Sequence, residues 1–177
     1  MTKILMDDKA VLRSLNKIAH QILEQNEGAD NLSIIGIRTR GVDLANRIVN
    51  IIEDIEKVKI LSGCVDITLY RDDFRETVDF PHPKGSEIQF DPKGKKIILV
   101  DDVLFTGRTV RSAIDVILDF GRPKSIQLAV LVDRDGRELP IQPDYIGRKV
   151  EVRDNEYVQV LTKETDGEDK IMLIKRK

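Results

Sequence analysis

Two adjacent carboxylates, Asp101 and Asp102, follow directly on the apolar run Lys96-Ile97-Ile98-Leu99-Val100, and Thr106-Gly107-Arg108-Thr109 comes shortly after. Neighbouring acids at the end of a strand can accept hydrogen bonds from vicinal hydroxyls, as on a ribose. A glycine lets backbone approach a ligand closely. The free N–H groups and dipole of a helix start favour an anion there, the threonine hydroxyls add donors, and Arg108 adds charge unless it faces solvent. The stretch Ile97–Thr109 thus reads as a cradle for a diol followed by a phosphate, which is a ribose 5-phosphate unit. The competing reading, a surface turn with two acids and a glycine, explains the apolar strand before it and the helix after it less well.

Such a site needs strands to end, and helices to begin, at one edge of a sheet. The patterning predicts that arrangement. Asp7 or Asp8 can cap a helix whose face is Val11, Leu15, Ile18 and Ile22, stopping near Asn26–Gly28. Leu32–Ile37 reads as a buried strand, Arg38–Gly41 as a polar turn, and Leu44, Ile48, Ile51, Ile52 and Ile55 as a second helical face. Val65–Tyr70 alternates like a strand. Further strands are expected at Lys96–Val100 and Ser125–Val132, with a helix over Thr109–Phe120 stopped by Gly121. Tyr157–Leu161 and Ile171–Ile174 read as small late strands. Strands apolar on both faces, alternating with helices, predict an α/β fold with a parallel central sheet covered by helices on both faces.

The chain of 177 residues is 41% apolar and 34% charged, which fits one domain over residues 1–177 with a well-hydrated surface. A long polar loop, about 71–92, carries Pro81, Pro83 and Pro92 and is expected to be functional or mobile. A net charge of -2 confines any nucleic-acid site to a local basic patch. The single cysteine, Cys64, leaves no intrachain disulfide and no cysteine-rich zinc site. With no signal-like start and no membrane-length apolar run, a soluble cytoplasmic protein is expected.

The segment Ile97–Thr109 resembles the phosphoribosyl-pyrophosphate signature of type I phosphoribosyltransferases. The resemblance extends to Gly36–Gly41, Asp66–Asp73, Ser125–Arg134, Arg137–Ile141 and Asp144–Gly147. These look like one subfamily, the bifunctional pyrimidine-operon attenuation regulators with uracil phosphoribosyltransferase activity. The resemblance implies the following. Thr39-Arg40-Gly41 is a pyrophosphate loop, and Arg71 opens a loop that closes over the reacting centre. Asp101 and Asp102 are catalytic as ribose-facing acids, and Thr106, Gly107, Arg108 and Thr109 hold the phosphate. Mg²⁺ comes with the substrate pyrophosphate, with no metal ligands assigned in the protein. In purine-salvage relatives of this fold an aspartate precedes the Thr-Gly; here it is Phe105, which cannot transfer a proton and favours a pyrimidine. The base is expected near Val132-Asp133-Arg134.

The same resemblance implies binding of a leader mRNA stem-loop, promoted by UMP, and a homodimer or higher oligomer, with no role for DNA or membrane. Arg13, Lys17 and His20 share one helical face and, with Arg137, are the candidate RNA contacts; each also reads as an ordinary solvated charge. The subfamily loop commonly has Arg-Gly-His-Arg-Glu-Leu-Pro, whereas this chain has Arg134-Asp135-Gly136-Arg137-Glu138-Leu139-Pro140. A pure nucleotide-sensing regulator and a salvage enzyme without RNA binding stay open as alternatives.

Overall fold

The computed structural model describes residues 2–67 and 85–175. In chain order the elements are β1 (Thr2–Met6), α1 (Asp8–Asn26), β2 (Leu32–Ile37), α2 (Arg40–Glu56), β3 (Leu61–Val65) and β4 (Lys96–Leu104). Then come α3 (Arg108–Phe120), β5 (Ser125–Arg134), β6 (Tyr145–Val150), β7 (Glu156–Leu161), α4 (Lys163–Asp166) and β8 (Lys170–Lys175). Five parallel strands form the central sheet in the order β3-β2-β4-β5-β6. One face buries Val11, Leu15 and Ile18 of α1 with Leu44, Ile48 and Ile52 of α2. The other buries Val110, Ala113, Val116 and Ile117 of α3. This is the expected parallel sheet covered by helices on both faces, with a three-stranded antiparallel sheet, β1-β8-β7, added to it. No helix among the described residues is long and apolar enough to cross a membrane.

The caps explain the helix limits. Asp7 accepts from the Ala10 N–H at 2.8 Å and starts α1, and Gly121 follows the last residue of α3. Elsewhere the structure corrects the boundaries. Of the strand expected at Val65–Tyr70, residues 68–70 lie outside the described residues and Asp66 and Ile67 are not in a strand; β3 runs earlier, over Leu61–Val65, in register with Ser33–Ile37 of β2. Its exposed Leu61 and Ser62, together with Gly63, give no apolar run to recognise. β4 continues past Val100 to Leu104, so Asp101 and Asp102 sit within the strand rather than after it. β5 continues through Asp133 and Arg134, and a further parallel strand, β6, pairs beside it. Gly147, Arg148 and Lys149 hide that edge strand from a hydrophobicity reading. β1 was likewise not expected: it is short and exposed over most of its length.

Of the long polar loop, residues 71–84 lie outside the described residues. Its far end docks on β3: Cys64 and Glu87 exchange both backbone hydrogen bonds, at 2.9 and 2.8 Å, and Ile88 is buried.

A buried polar knot joins α1 to β5 and β6. Asn26 Nδ2 donates to Ile22 O, Gln127 Oε1 and the Tyr145 hydroxyl, and that hydroxyl donates to Gln127 Oε1 at 2.8 Å. Replacing one member of a buried network strands its partners without water. Asn26→Leu is therefore expected to lower the unfolding free energy by about 1–3 kcal/mol, read as a lower midpoint in urea at unchanged slope.

Candidate functional site

The chain reverses its direction of travel across the sheet between β2 and β4. From β2 it passes over α2 to β3 on one side, and β4 then returns to the other side of β2. The helices after these two strands, α2 and α3, lie on opposite faces of the sheet. A crevice at such a reversal, at the carboxyl ends of the strands, is where open α/β sheets bind ligands. The loop Thr39-Arg40-Gly41 follows β2, and Thr106–Thr109 follows β4. The expected pyrophosphate loop and the expected phosphate cradle therefore flank one crevice.

Two glycines bring them together. A Cβ on Gly36 would sit 2.5 Å from Val42 Cα, so the start of α2 lies hard against β2. A Cβ on Gly41 would sit 2.7 Å from Val100 O and 3.3 Å from Asp101 Cα. The Thr39–Gly41 loop thus touches the strand that carries the paired acids. The Arg38–Thr39 peptide is cis, and Thr39 makes no side-chain cap bond. Arg38 donates from Nε to Gly85 O at 2.9 Å, tying this turn to the end of the long loop.

The two acids are not equivalent. Asp101 is buried, whereas Asp102 is partly open. Asp101 Oδ1 accepts from the Asp102 N–H at 2.9 Å. Burial, and next the charge of Asp102, push the Asp101 carboxyl well above its usual range. The buried acid is therefore harder to ionise than an exposed carboxylate, which sets it apart from its neighbour.

The segment expected to hold phosphate does start a helix. Gly107, at φ +93°, stands at the N-cap of α3 with no side-chain cap, and Thr109 is exposed in the first turn. That φ favours glycine. Arg108 does not face the crevice freely: its Nε donates to Glu138 at 2.6 Å. Thr106 O accepts from the N–H groups of Glu138 and Leu139, so the Glu138–Ile141 turn packs over the cradle.

Val132, Asp133 and Arg134 end β5 beside Val103 and Leu104. The Arg134 guanidinium lies over the Phe105 ring, 3.8 Å from its centroid. Gly136, at φ +98°, lies against the edge of the ring: a Cβ there would come 2.4 Å from Phe105 Cε2. The glycine found where the subfamily commonly has histidine is thus matched to this packing of Phe105. Arg137 donates to Asp133 Oδ1, Phe105 O and Arg134 O. Its guanidinium is thus engaged within this loop while its side chain stays partly exposed. Arg13, Lys17 and His20 are exposed on α1. Lys17 Nζ donates to Gly147 O at 3.0 Å, and Arg13, Lys17 and Arg148 line one shallow cleft.

Arg40 is held from outside the crevice. Its Nε and Nη2 donate to the two oxygens of Asp166 at 2.9 and 2.8 Å. Arg71 lies outside the described residues. Asp166 went unread because it sits in a charged run that resembles a solvated turn. Gly36 carried a signal, since a glycine inside an apolar strand marks close backbone approach.

The phosphoribosyl transferase domain family matches residues 1–164. The chain is 52% identical over 169 residues to the bifunctional protein PyrR of Clostridioides difficile, covering 96% of each protein. It is 47% identical over 175 residues to the bifunctional protein PyrR of Halalkalibacterium halodurans, covering 98% of this chain and 97% of that one. In fold it is similar to the hypoxanthine phosphoribosyltransferase of Trypanosoma cruzi, with a TM-score of 0.74 at 18% identity, covering 99% and 97% of the two chains. The Staphylococcus aureus hypoxanthine phosphoribosyltransferase gives 0.72 at 17% identity, covering 98% and 92%.

Proposed function

The chain belongs to the phosphoribosyl transferase family and, within it, to the bifunctional PyrR proteins, and on that premise we propose that it joins uracil to phosphoribosyl pyrophosphate, giving UMP and pyrophosphate, and uses UMP as the signal for binding a pyrimidine leader mRNA. The observation that carries the catalytic half is the contact of Gly41 with Val100 and Asp101, which sets an anion loop against the diol acids. In this reading the start of α3 holds the 5-phosphate. Asp101 and Asp102 orient the ribose hydroxyls, and the Thr39–Gly41 loop holds the pyrophosphate at the start of α2. Loss of pyrophosphate leaves a cation-like anomeric carbon that the acid pair stabilises, while Arg71 neutralises the leaving group. The uracil edge faces the end of β5 at Val132–Arg134, beside Phe105.

Among the described residues no cluster of three or more His, Cys, Asp or Glu side chains could cage a metal. The two neighbouring carboxylates suit instead a Mg²⁺ that arrives with the substrate and keeps most of its waters. When bound, that ion offsets charge on the leaving pyrophosphate. In this reading the protein works in the cytoplasm, with its substrate and the nascent transcript, as a dimer or larger oligomer whose basic faces add.

Arg13, Lys17 and Arg148 form the basic cleft for the RNA backbone, with His20 on the same helix. A filter assay with a pyrimidine-leader hairpin is expected to show retention that rises with UMP and falls with salt. Arg13→Gln and Lys17→Gln are each expected to lower the salt slope by about one. No dependence on UMP would leave the enzyme alone.

A further inference from the structure

We propose that the C-terminal segment Thr162–Asp169 positions the pyrophosphate loop, with Asp166 the residue that sets the direction of the Arg40 guanidinium; the inference rests on the reading of Thr39–Gly41 given above. Three residues on one stripe of α2, at positions 40, 43 and 47, are all engaged by this one distant segment. Arg40 makes its bidentate pair with Asp166. Asp43 Oδ2 accepts from the hydroxyls of Thr162 and Thr165 at 2.6 and 2.7 Å. Arg47 forks onto both Glu164 and Asp169, within 2.9 Å at every contact. On the inward side Gly41 presses α2 against β4. The first two turns of the helix are therefore gripped between the sheet and this segment.

Isolated surface ion pairs contribute little to stability. These pairs differ in being bidentate, joined in a network and partly shielded: the Asp166, Asp169 and Arg47 side chains are only 17%, 15% and 18% exposed. The place they hold matters more. Hydrogen bonding to Asp166, with the further charges of Asp102 and Asp43, raises the Arg40 pKa. Arg40 thus stands within electrostatic reach of both the ribose acid and the C-terminal segment. An unheld arginine samples many rotamers, and each must be given up when an anion binds. Asp166 orders it beforehand, so the cation is in place when pyrophosphate arrives.

The test compares the full-length wild type with Asp166→Asn and Asp166→Glu. For Asp166→Asn, the KM for phosphoribosyl pyrophosphate and the Kd for pyrophosphate are expected to rise about tenfold. The KM for uracil and the Kd for UMP, which lacks the pyrophosphate, are expected to stay within about twofold. Asp166→Glu, keeping the charge, is expected to recover most of the loss. Unchanged or tighter pyrophosphate binding in Asp166→Asn would overturn the proposal, since Asp166 would then be idle or a competitor for Arg40. An equal loss for UMP and pyrophosphate would overturn it too, as a purely structural effect. If Asp166→Asn does not fold, Thr165→Val, which removes one donor to Asp43, is read in the same way, with an expected shift of about threefold confined to pyrophosphate ligands. If the wild type makes no UMP, the enzymatic reading falls, while calorimetric titration with pyrophosphate still decides the role of Asp166.

Discussion

Asp101→Asn is expected to melt about 2–4 °C above the wild type near pH 8 while losing UMP formation by about 10²–10³-fold. Both effects come from one buried carboxyl. Its pKa in the folded chain is raised, first by desolvation and then by Asp102. In the unfolded chain it returns to the ordinary carboxylate value, about 3.9. The folded state therefore holds this proton over a pH range in which the unfolded state has released it. The contribution is favourable below the unfolded pKa and is lost as pH rises through the folded one. An asparagine does not ionise, so its advantage is largest at alkaline pH and vanishes near pH 4. The amide oxygen still accepts from the Asp102 N–H, so the local bond survives. Catalysis loses a carboxyl acceptor for the ribose diol, and with it the negative charge that a cation-like anomeric carbon draws onto that carboxyl. Melting curves at pH 8 and pH 4, with UMP formation at saturating substrates, check both halves. A variant no more stable than the wild type at pH 8 would show that burial of Asp101 carries no cost.

The local frame of the proposed cradle was legible because it lies within one short stretch. Strand, acids, glycine and helix start all fall within Ile97–Thr109, and β4 and α3 keep that order. Local patterning also identified α1, β2 and α2, whose apolar faces repeat cleanly, and it identified the parallel sheet. What was not legible depends on partners far along the chain. Asp101 and Asp102 look alike in sequence; only the packing of Gly41 and β5 around β4 makes one of them buried. Arg40, Arg108 and Arg137 read as free cations, but each is paired by a residue from a distant segment or from a loop folded back on it: Asp166, Glu138 and Asp133. The edge strands β1, β3 and β6 escaped notice for another reason. Half-exposed edges need little apolar surface, so their composition hardly departs from that of a loop. The substitution of Gly136 for the common histidine was visible as a departure, while its partner, the Phe105 ring, was visible only in the fold.

Gly41→Ala is expected to weaken phosphoribosyl pyrophosphate binding about 100-fold and to destabilise the chain, although a helix propensity scale predicts the opposite. Gly41 lies in the first turn of α2, where alanine would ordinarily stabilise by up to about 1 kcal/mol. Sterics act against that gain. The added methyl would meet Val100 O at 2.7 Å and Asp101 Cα at 3.3 Å, both backbone atoms of the central strand, which cannot rotate away. Relief requires α2 to lift from the sheet, and overpacking of this kind costs about 1–3 kcal/mol, more than propensity returns. Gly36→Ala puts a methyl into the same seam from the other side, 2.5 Å from Val42 Cα and 2.7 Å from Gly41 O. Each substitution moves the Thr39–Gly41 loop away from the acids, and a displacement of about 1 Å suffices to lose about 10² in a positioned reaction. In the proposed reading UMP makes no use of that loop, so its binding is expected to fall far less. Urea unfolding with titrations of phosphoribosyl pyrophosphate and UMP separates the outcomes. A Gly41→Ala chain that is more stable than the wild type and binds phosphoribosyl pyrophosphate normally would mean that the loop and the acids do not act on one ligand.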